Sequence, residues 1–156
     1  MALEVRKDYY EEIETSPVAH FTVKEAGKFI EAMLNFFRNN GTLYISSYDF
    51  GYWAEKLALF RSGERVKLIT SLPDPAFLEN GYALSDEFVY VFRIECLKNV
   101  DPRTMFNQFL IYQGGRPALQ ACNNFDDVYL NVKVPQRILD KLVAENVMAP
   151  AEDAGA

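Results

Sequence analysis

The side chains that could do chemistry are few, and they form no common catalytic or metal-binding motif. His20 is the one histidine of the chain and has no cysteine or carboxylate at ligand spacing, which predicts a surface or partly buried side chain rather than a metal ligand. The sequence has no phosphate loop, no Gly-x-Gly-x-x-Gly, no His-Glu-x-x-His and no nucleophile elbow. The acidic pairs Asp86-Glu87 and Asp126-Asp127 are typical of solvated loops. We therefore expect neither a metal nor a cofactor.

The most informative stretch of the chain is 106–123, in which two apolar segments flank Gly114 and Gly115. A pair of glycines between two such segments is a strong signal for a β-hairpin, with strands at 106–112 and 118–122. The same stretch carries neutral amides at Gln108, Gln113, Gln120 and Asn123. Amides can hydrogen-bond a polar ligand without pairing with its charge.

This hairpin resembles the signature of the phospholipase D-like superfamily, which has His-x-Lys, then four residues, Asp, six residues, Gly-Ser and soon afterwards an Asn. In the ungapped register, the family's His, Lys, Asp, Gly, Ser and Asn fall on Phe106, Gln108, Gln113, Gln120, Ala121 and Asn123. A hairpin that is one residue longer places Gly-Ser on Ala121-Cys122 and the Asn on Asn124. Both registers are open, so either asparagine could be the match.

The elements around the hairpin follow the order that the resemblance implies. Apart from the hairpin, helices are predicted at 23–39, 52–61 and 135–147, and strands at 42–46, 66–70, 88–97 and 128–134, with an irregular loop at 72–86. Thr22 and Glu25 have capping-box spacing, and Gly41 can take a left-handed helix end. A helix between strands 42–46 and 66–70 predicts a parallel crossover and an α/β fold. The resemblance implies a mixed β-sheet flanked by helices, phospholipase D-like with a single motif.

One domain is expected from the length and composition. The chain has 156 residues, of which 49% are hydrophobic and 24% charged, which is ordinary globular chemistry. We predict a lead-in over 1–20, a phospholipase D-like domain over 21–148 and a flexible tail over 149–156.

The charge balance and the cysteines limit which kinds of partner and which cellular compartment are expected. With 16 Lys and Arg against 22 Asp and Glu, the net charge is −6, which argues against a nucleic-acid partner bound by bulk charge. Cys96 and Cys122 lie in apolar surroundings, which indicates buried thiols in a reducing compartment. The N-terminal residues lack the apolar core of a signal peptide, and no apolar run is long enough for a membrane span. A cytoplasmic location and no membrane partner are expected.

The resemblance implies phosphoryl transfer through a phosphohistidine, but the residues for this chemistry are replaced. Phe106 has no nucleophilic lone pair, and the Gln108 amide cannot neutralise phosphate charge. We therefore expect no enzyme activity.

Three functions are compatible with the sequence. The first is a catalytically inactive module that binds a protein partner or regulates one, and that pairs as a homodimer, as single-motif members of the family do. In this interpretation the former cleft becomes apolar through Met105, Phe106, Phe109 and Tyr112. The second is a pseudoenzyme that binds a nucleotide or another phosphate-bearing ligand through neutral amides, and the third is an atypical phosphodiesterase or nuclease. The candidate ligand-binding or interaction residues are Phe106, Gln108, Gln120, Asn123, Asn124 and Tyr48.

Overall fold

The computed structural model describes residues 19–47, 55–61, 66–68, 76–78, 81–98, 101–114, 116–122 and 124–151. Its helices are α1 (Ala26–Phe37), α2 (Asp86–Phe92), which a π-helical turn (Arg93–Leu97) continues, α3 (Pro102–Met105) and α4 (Gln136–Ala144). Its strands are β1 (Ala19–Val23), β2 (Thr42–Ser47), β3 (Val66–Leu68), β4 (Ala76–Leu78), β5 (Tyr82–Ala83), β6 (Phe106–Gln113), β7 (Arg116–Cys122), β8 (Asp127–Leu130) and β9 (Met148–Pro150). The chain is thus mixed α/β.

The strands form one large sheet and one small ladder. Among the described residues, the large sheet has seven strands in the order β5-β2-β6-β7-β8-β1-β9, and β3 and β4 form a separate two-stranded ladder. All the strand pairings among the described residues are antiparallel. The predicted parallel crossover and the mixed sheet are therefore wrong for this part of the chain. Antiparallel strands can be joined by a short connection, and β3 pairs in this way with the nearby β4. β2 instead pairs with β6, which is far along the chain and lies next to the central strand β7.

The predicted hairpin is confirmed as β6 and β7, with Gly114 at φ 57° in the turn. The register is Phe109 opposite Ala121 and Leu110 opposite Gln120. Gly115 lies outside the described residues. This hairpin fixes which side chains of the motif share a face of the sheet.

The two faces of the sheet differ in character. One face carries the main core, and α1 and α2 pack on it through Phe29 and Phe92. The other face carries a row of residues that the pairing registers place side by side across five strands. This cross-strand row consists of His20, Tyr129, Gln120, Leu110 and Tyr44.

Helix α1 confirms the predicted apolar face but not its predicted ends. Thr22 lies in β1, and Glu25 is the N-cap residue without a side-chain cap bond. After the helix, Asn39 takes the left-handed conformation at φ 60°. Gly41 instead meets a packing constraint, because an added Cβ would lie 3.0 Å from Cγ2 of Ile111.

The predicted strand 88–97 is wrong, because this segment is helical. The Ser85 hydroxyl accepts a hydrogen bond from the backbone N–H of Phe88 at 3.1 Å, and Asp86 and Glu87 fill the first turn. These residues form a helix start that the β-rich composition of the segment obscured. The buried side chains Phe88, Val89 and Phe92 follow helical spacing.

The sheet reaches into both predicted terminal segments. β1 includes residues 19–20 of the predicted lead-in, and β9 pairs with β1 where a frayed tail is predicted. Helix α4 confirms the predicted C-terminal helix with shorter bounds, and β8 is the shorter form of predicted strand 128–134. Of the predicted second helix, residues 55–61 are described, and Ala58–Phe60 forms a 3₁₀ turn. None of the described helices has the length and hydropathy to cross a membrane.

Candidate functional site

The predicted motif positions Phe106, Gln108 and Asn124 lie at one corner of the fold, where β6 begins and the chain has left β7. We call the described residues 101–108 and 124–127 the motif corner. Helix α3 begins here, since the Asp101 side chain accepts a hydrogen bond from the backbone N–H of Arg103 at 3.0 Å and Pro102 occupies the first turn. β6 follows directly at Phe106. The corner therefore joins a capped short helix to the central hairpin.

Phe106 lies in the main core and not on an open cleft. Its side chain is fully buried, and its ring stacks on Phe92 at 5.9 Å between centroids and 22° between planes. The predicted apolar cleft is accordingly wrong. Phe109 is also buried in the core, while Tyr112 is buried outside the main core cluster. Burying a phenyl ring removes a large apolar area from water, and this favours the core position.

Asn124 ties the two halves of the motif corner together. Its backbone is left-handed at φ 52°, and its Nδ2 donates to the carbonyl oxygen of Arg103 at 2.8 Å and of Phe106 at 3.4 Å. The side-chain amide of Asn124 thus hydrogen-bonds the backbone where α3 joins β6. The other candidate asparagine, Asn123, and the candidate Tyr48 lie outside the described residues.

Arg103 is a further residue of the corner, and sequence reasoning missed it. Its guanidinium donates to the backbone carbonyl of Val23 and to the carboxylate of Asp126. It therefore links α3 to the end of β1 and to the turn before β8. The sequence signal for this residue is Asp101-Pro102-Arg103, a pattern that is typical of a capped helix start.

Phe125 has an unusual backbone for a bulky buried residue. It follows Asn124 with φ 73°, is 1% exposed, and its ring lies 5.9 Å from that of Phe109 and 6.4 Å from that of Phe29. A non-glycine residue pays a steric cost in this conformation. The apolar contacts of the ring offset that cost.

The glutamines that could form an amide site do not all come together. Gln108 and Gln120 are buried, and the alternation of side chains along β6 and β7 places both on the face that carries the cross-strand row. Gln113 lies at the hairpin turn, where its Nε2 donates to the carbonyl oxygen of Asn40 at 2.8 Å. The predicted site of four amides is therefore reduced to two described members.

Gln120 is only partly satisfied in its hydrogen bonding. Its Oε1 accepts from Nδ2 of Asn131 at 3.3 Å, while its Nε2 has no hydrogen-bond partner in the part of the chain that the structure describes. A fully buried N–H without a partner is costly and calls for an explanation.

His20 and the acidic residues have defined contacts. The His20 ring stacks on Tyr129 at 4.2 Å, and its Nε2 lies 3.5 Å from Oδ1 of Asp127. That separation lies within ion-pair range but is long for a hydrogen bond. Asp126 binds Arg103, so neither member of this acidic pair is simply solvated as predicted. Across the described ranges, no three His, Cys, Asp or Glu side chains are placed to hold a metal.

Cys122 confirms the prediction of a buried thiol. It lies at the end of β7, is 1% exposed and forms no disulfide. Its burial makes it a poor nucleophile for a solvent-borne substrate.

The chain was compared with protein-family models, with curated proteins and with solved structures, and none of them matches it. The class of the protein therefore follows from its fold alone, which is an α/β domain built on an antiparallel sheet.

Asn124 is expected to be the most sensitive polar residue of the corner. Asn124→Ala should lose about 2–3 kcal/mol of unfolding free energy, because it removes both carbonyl contacts and places a Cβ-bearing residue without local hydrogen bonds at positive φ. Asn124→Gly should lose about 1 kcal/mol less, because glycine adopts this backbone freely. Urea denaturation measures both values.

The matched control is Asn146, which is also left-handed at φ 61° but exposed. Its side chain accepts one exposed hydrogen bond, from Nζ of Lys24 at 3.1 Å, so the Asn146→Ala variant should lose only about 1 kcal/mol of unfolding free energy, mostly the cost of the backbone conformation. Equal losses at both positions would show that the carbonyl contacts of Asn124 contribute nothing.

Proposed function

We propose that this chain is a noncatalytic domain, related to the phospholipase D-like superfamily through its hairpin motif, that acts by binding protein, as an interaction or regulatory module that pairs as a homodimer. The observation that carries the proposal is that the side chains of Phe106 and Asn124 at the motif corner are engaged within the fold. Phe106 stands where the resemblance places the nucleophilic imidazole, and its ring is buried against Phe92. The amide of Asn124 binds backbone carbonyls instead of a ligand.

The chemistry of the corner supports the absence of phosphoryl transfer. That reaction needs a nucleophile and a positive charge beside the phosphate. The described motif positions offer a phenyl ring and neutral amides. The cation of the corner, Arg103, is already engaged by Asp126 and by the carbonyl of Val23.

Exposed apolar side chains support a binding role. Leu59 is 95% exposed and Tyr90 is 63% exposed. Their segments are joined by the Phe60–Phe88 ring contact at 5.6 Å. Aromatic side chains such as Tyr90 are enriched in protein interfaces, and the buried core of an interface is more apolar than the rest of the surface.

Two measurements test the proposal. The purified chain should not hydrolyse bis(p-nitrophenyl) phosphate or single-stranded DNA above a buffer control, with or without chelator. Light scattering over a concentration series should show the mass of a dimer. Hydrolysis that co-purifies with the unmodified chain would refute the noncatalytic assignment, and a monomer at every concentration would refute the pairing.

A second candidate function is the binding of a polar ligand, and the unpartnered Nε2 of buried Gln120 favours it. Gln108 on the same face could add a second amide. Isothermal titration with a panel of nucleotides and inorganic phosphate tests this function. Heat that disappears in Gln120→Met would support it, and no heat from any ligand would remove it.

A further inference from the structure

We propose that the groove between α1 and α4 is the surface on which this module binds its partner, and that the partner presents an amphipathic helix flanked by carboxylates. The proposal rests on the noncatalytic binding function proposed above and names its site and the chemistry of its occupant. The groove encloses about 810 Å³ between the two helices.

The floor of the groove is apolar and is built from matched positions on the two helices. Ala32 and Phe36 of α1 are four residues apart, as are Ile138 and Leu142 of α4. Three of these four side chains, those of Ala32, Phe36 and Ile138, are only partly buried where they pack on the core. Rows of residues four apart on two neighbouring helices form ridges, between which the side chains of a third helix can pack.

The edge of the groove on α4 carries two cations and, one turn after the second of them, the carboxylate of Glu145. Arg137 and Lys141 lie one turn apart on the same side of the helix, and both are exposed. Like charges at this spacing repel each other and weaken a helix. Neither side chain forms an ion pair with any residue that the structure describes. An acidic partner would relieve the repulsion.

The other charges along the groove are mostly engaged within the chain. The carboxylate of Glu31 binds Arg93 at 2.9 Å, and the ammonium of Lys28 lies 3.5 Å from Glu25. Glu145 contributes one further carboxylate at the C-terminal end of α4. The unpaired charge beside the floor is therefore net positive.

The local positive charge of the groove contrasts with the net charge of the whole chain, which is −6. The overall field repels acidic partners, so the two cations act at short range and select the orientation of a bound helix. Two cations are too few to follow a nucleic-acid backbone.

The test uses the full chain and a labelled, capped peptide of about four helical turns. The peptide has leucine at i, i+3, i+4 and i+7 and glutamate on both flanks of this face, and a control peptide has lysine in place of each glutamate. Fluorescence anisotropy measures affinity, and amide chemical shifts in two-dimensional NMR locate the contact. We expect saturable binding of the acidic peptide, shifts confined to α1 and α4, and no binding of the lysine peptide.

Matched variants separate the floor from the charges. Ile138→Asn should weaken binding by about tenfold or more, and Val143→Asn, on the same helix but outside the groove, by less than about threefold. Arg137→Glu with Lys141→Glu should also weaken binding by about tenfold, whereas Arg116→Glu with Lys133→Glu, which changes the net charge equally at exposed sites elsewhere, should leave it within about twofold. Circular dichroism checks that each variant is folded.

Absence of binding, or binding that the groove variants leave unchanged, would overturn the groove assignment. Loss of self-association in the groove variants would also overturn it, because the occupant would then be a second copy. Each of these results leaves the noncatalytic function standing. Phosphodiester hydrolysis by the unmodified chain would instead overturn that function, whatever the peptides do.

Discussion

Phe106→His is expected to lower the unfolding free energy by about 3 kcal/mol or more without creating activity. The substitution restores the residue type that the phospholipase D-like resemblance requires. In this fold, however, it replaces a fully buried ring that stacks on Phe92 with a polar imidazole. Adding Gln108→Lys should destabilise the chain further, because the Gln108 side chain is also buried.

The loss of unfolding free energy caused by Phe106→His should depend on pH. Burial disfavours the charged imidazole, so the pKa of the introduced side chain should be lower in the folded state than its unfolded value of about 6.5. Below that pH the unfolded state binds more protons, and the variant's stability relative to the parent should fall by up to about 1.4 kcal/mol per pH unit. Urea denaturation of both proteins between pH 5 and pH 8 measures this difference.

The control for this prediction is Tyr90→His, because Tyr90 is an exposed aromatic side chain. It should change the stability by less than about 0.5 kcal/mol at any of these pH values. If Phe106→His were equally mild, the ring could not lie in the core. A gain of phosphodiesterase activity in the double variant would contradict the noncatalytic assignment of the corner.

Phe125→Ala should lower the free energy of unfolding by about 3–5 kcal/mol, because the buried ring contacts Phe29 and Phe109. Phe125→Gly should be more stable than Phe125→Ala by about 0.5–1 kcal/mol, although glycine usually destabilises a folded segment relative to alanine. The reason is the positive φ of this residue, which favours glycine. Chemical denaturation of both variants gives the order.

Phe109 supplies the matched comparison, since it is equally buried but lies in regular strand β6. There the order should reverse, with Phe109→Gly less stable than Phe109→Ala by about 0.5–1 kcal/mol. The same order at both positions would mean that Phe125 is not strained. Phe125 beside Asn124 would then be a buried residue whose backbone conformation costs free energy and is maintained by the surrounding packing.

The elements that local patterns specify were predictable from the sequence. Helix α1 follows from apolar residues at helical spacing, and the β6–β7 hairpin follows from two glycines between apolar segments. Burial of Cys122 follows from its apolar neighbours. In each case the signal lies within a few residues of the element itself, so no distant contact is needed to interpret it.

Segments with two compatible structures were not predictable in the same way. Residues 88–97 have the β-branched and aromatic composition of a strand, and the cap at Ser85 together with burial of Phe88 and Phe92 makes them helical. The terminal strands β1 and β9 are short. β1 becomes a strand by pairing with β8 and β9, and β9 becomes a strand by pairing with β1. Tertiary pairing overrides weak local preference in such segments.

The candidate site divides along the same line. The sequence alone determined which functional groups this protein has at the hairpin: a phenyl ring and amides where the related chemistry needs an imidazole and an ammonium, since side-chain chemistry does not depend on the fold. Only the tertiary structure decided where those groups lie. The ring of Phe106 is in the core and the amide of Asn124 is on backbone carbonyls, while Gln113 is at the far turn. Burial and hydrogen bonding depend on residues that are distant in the chain and close in space.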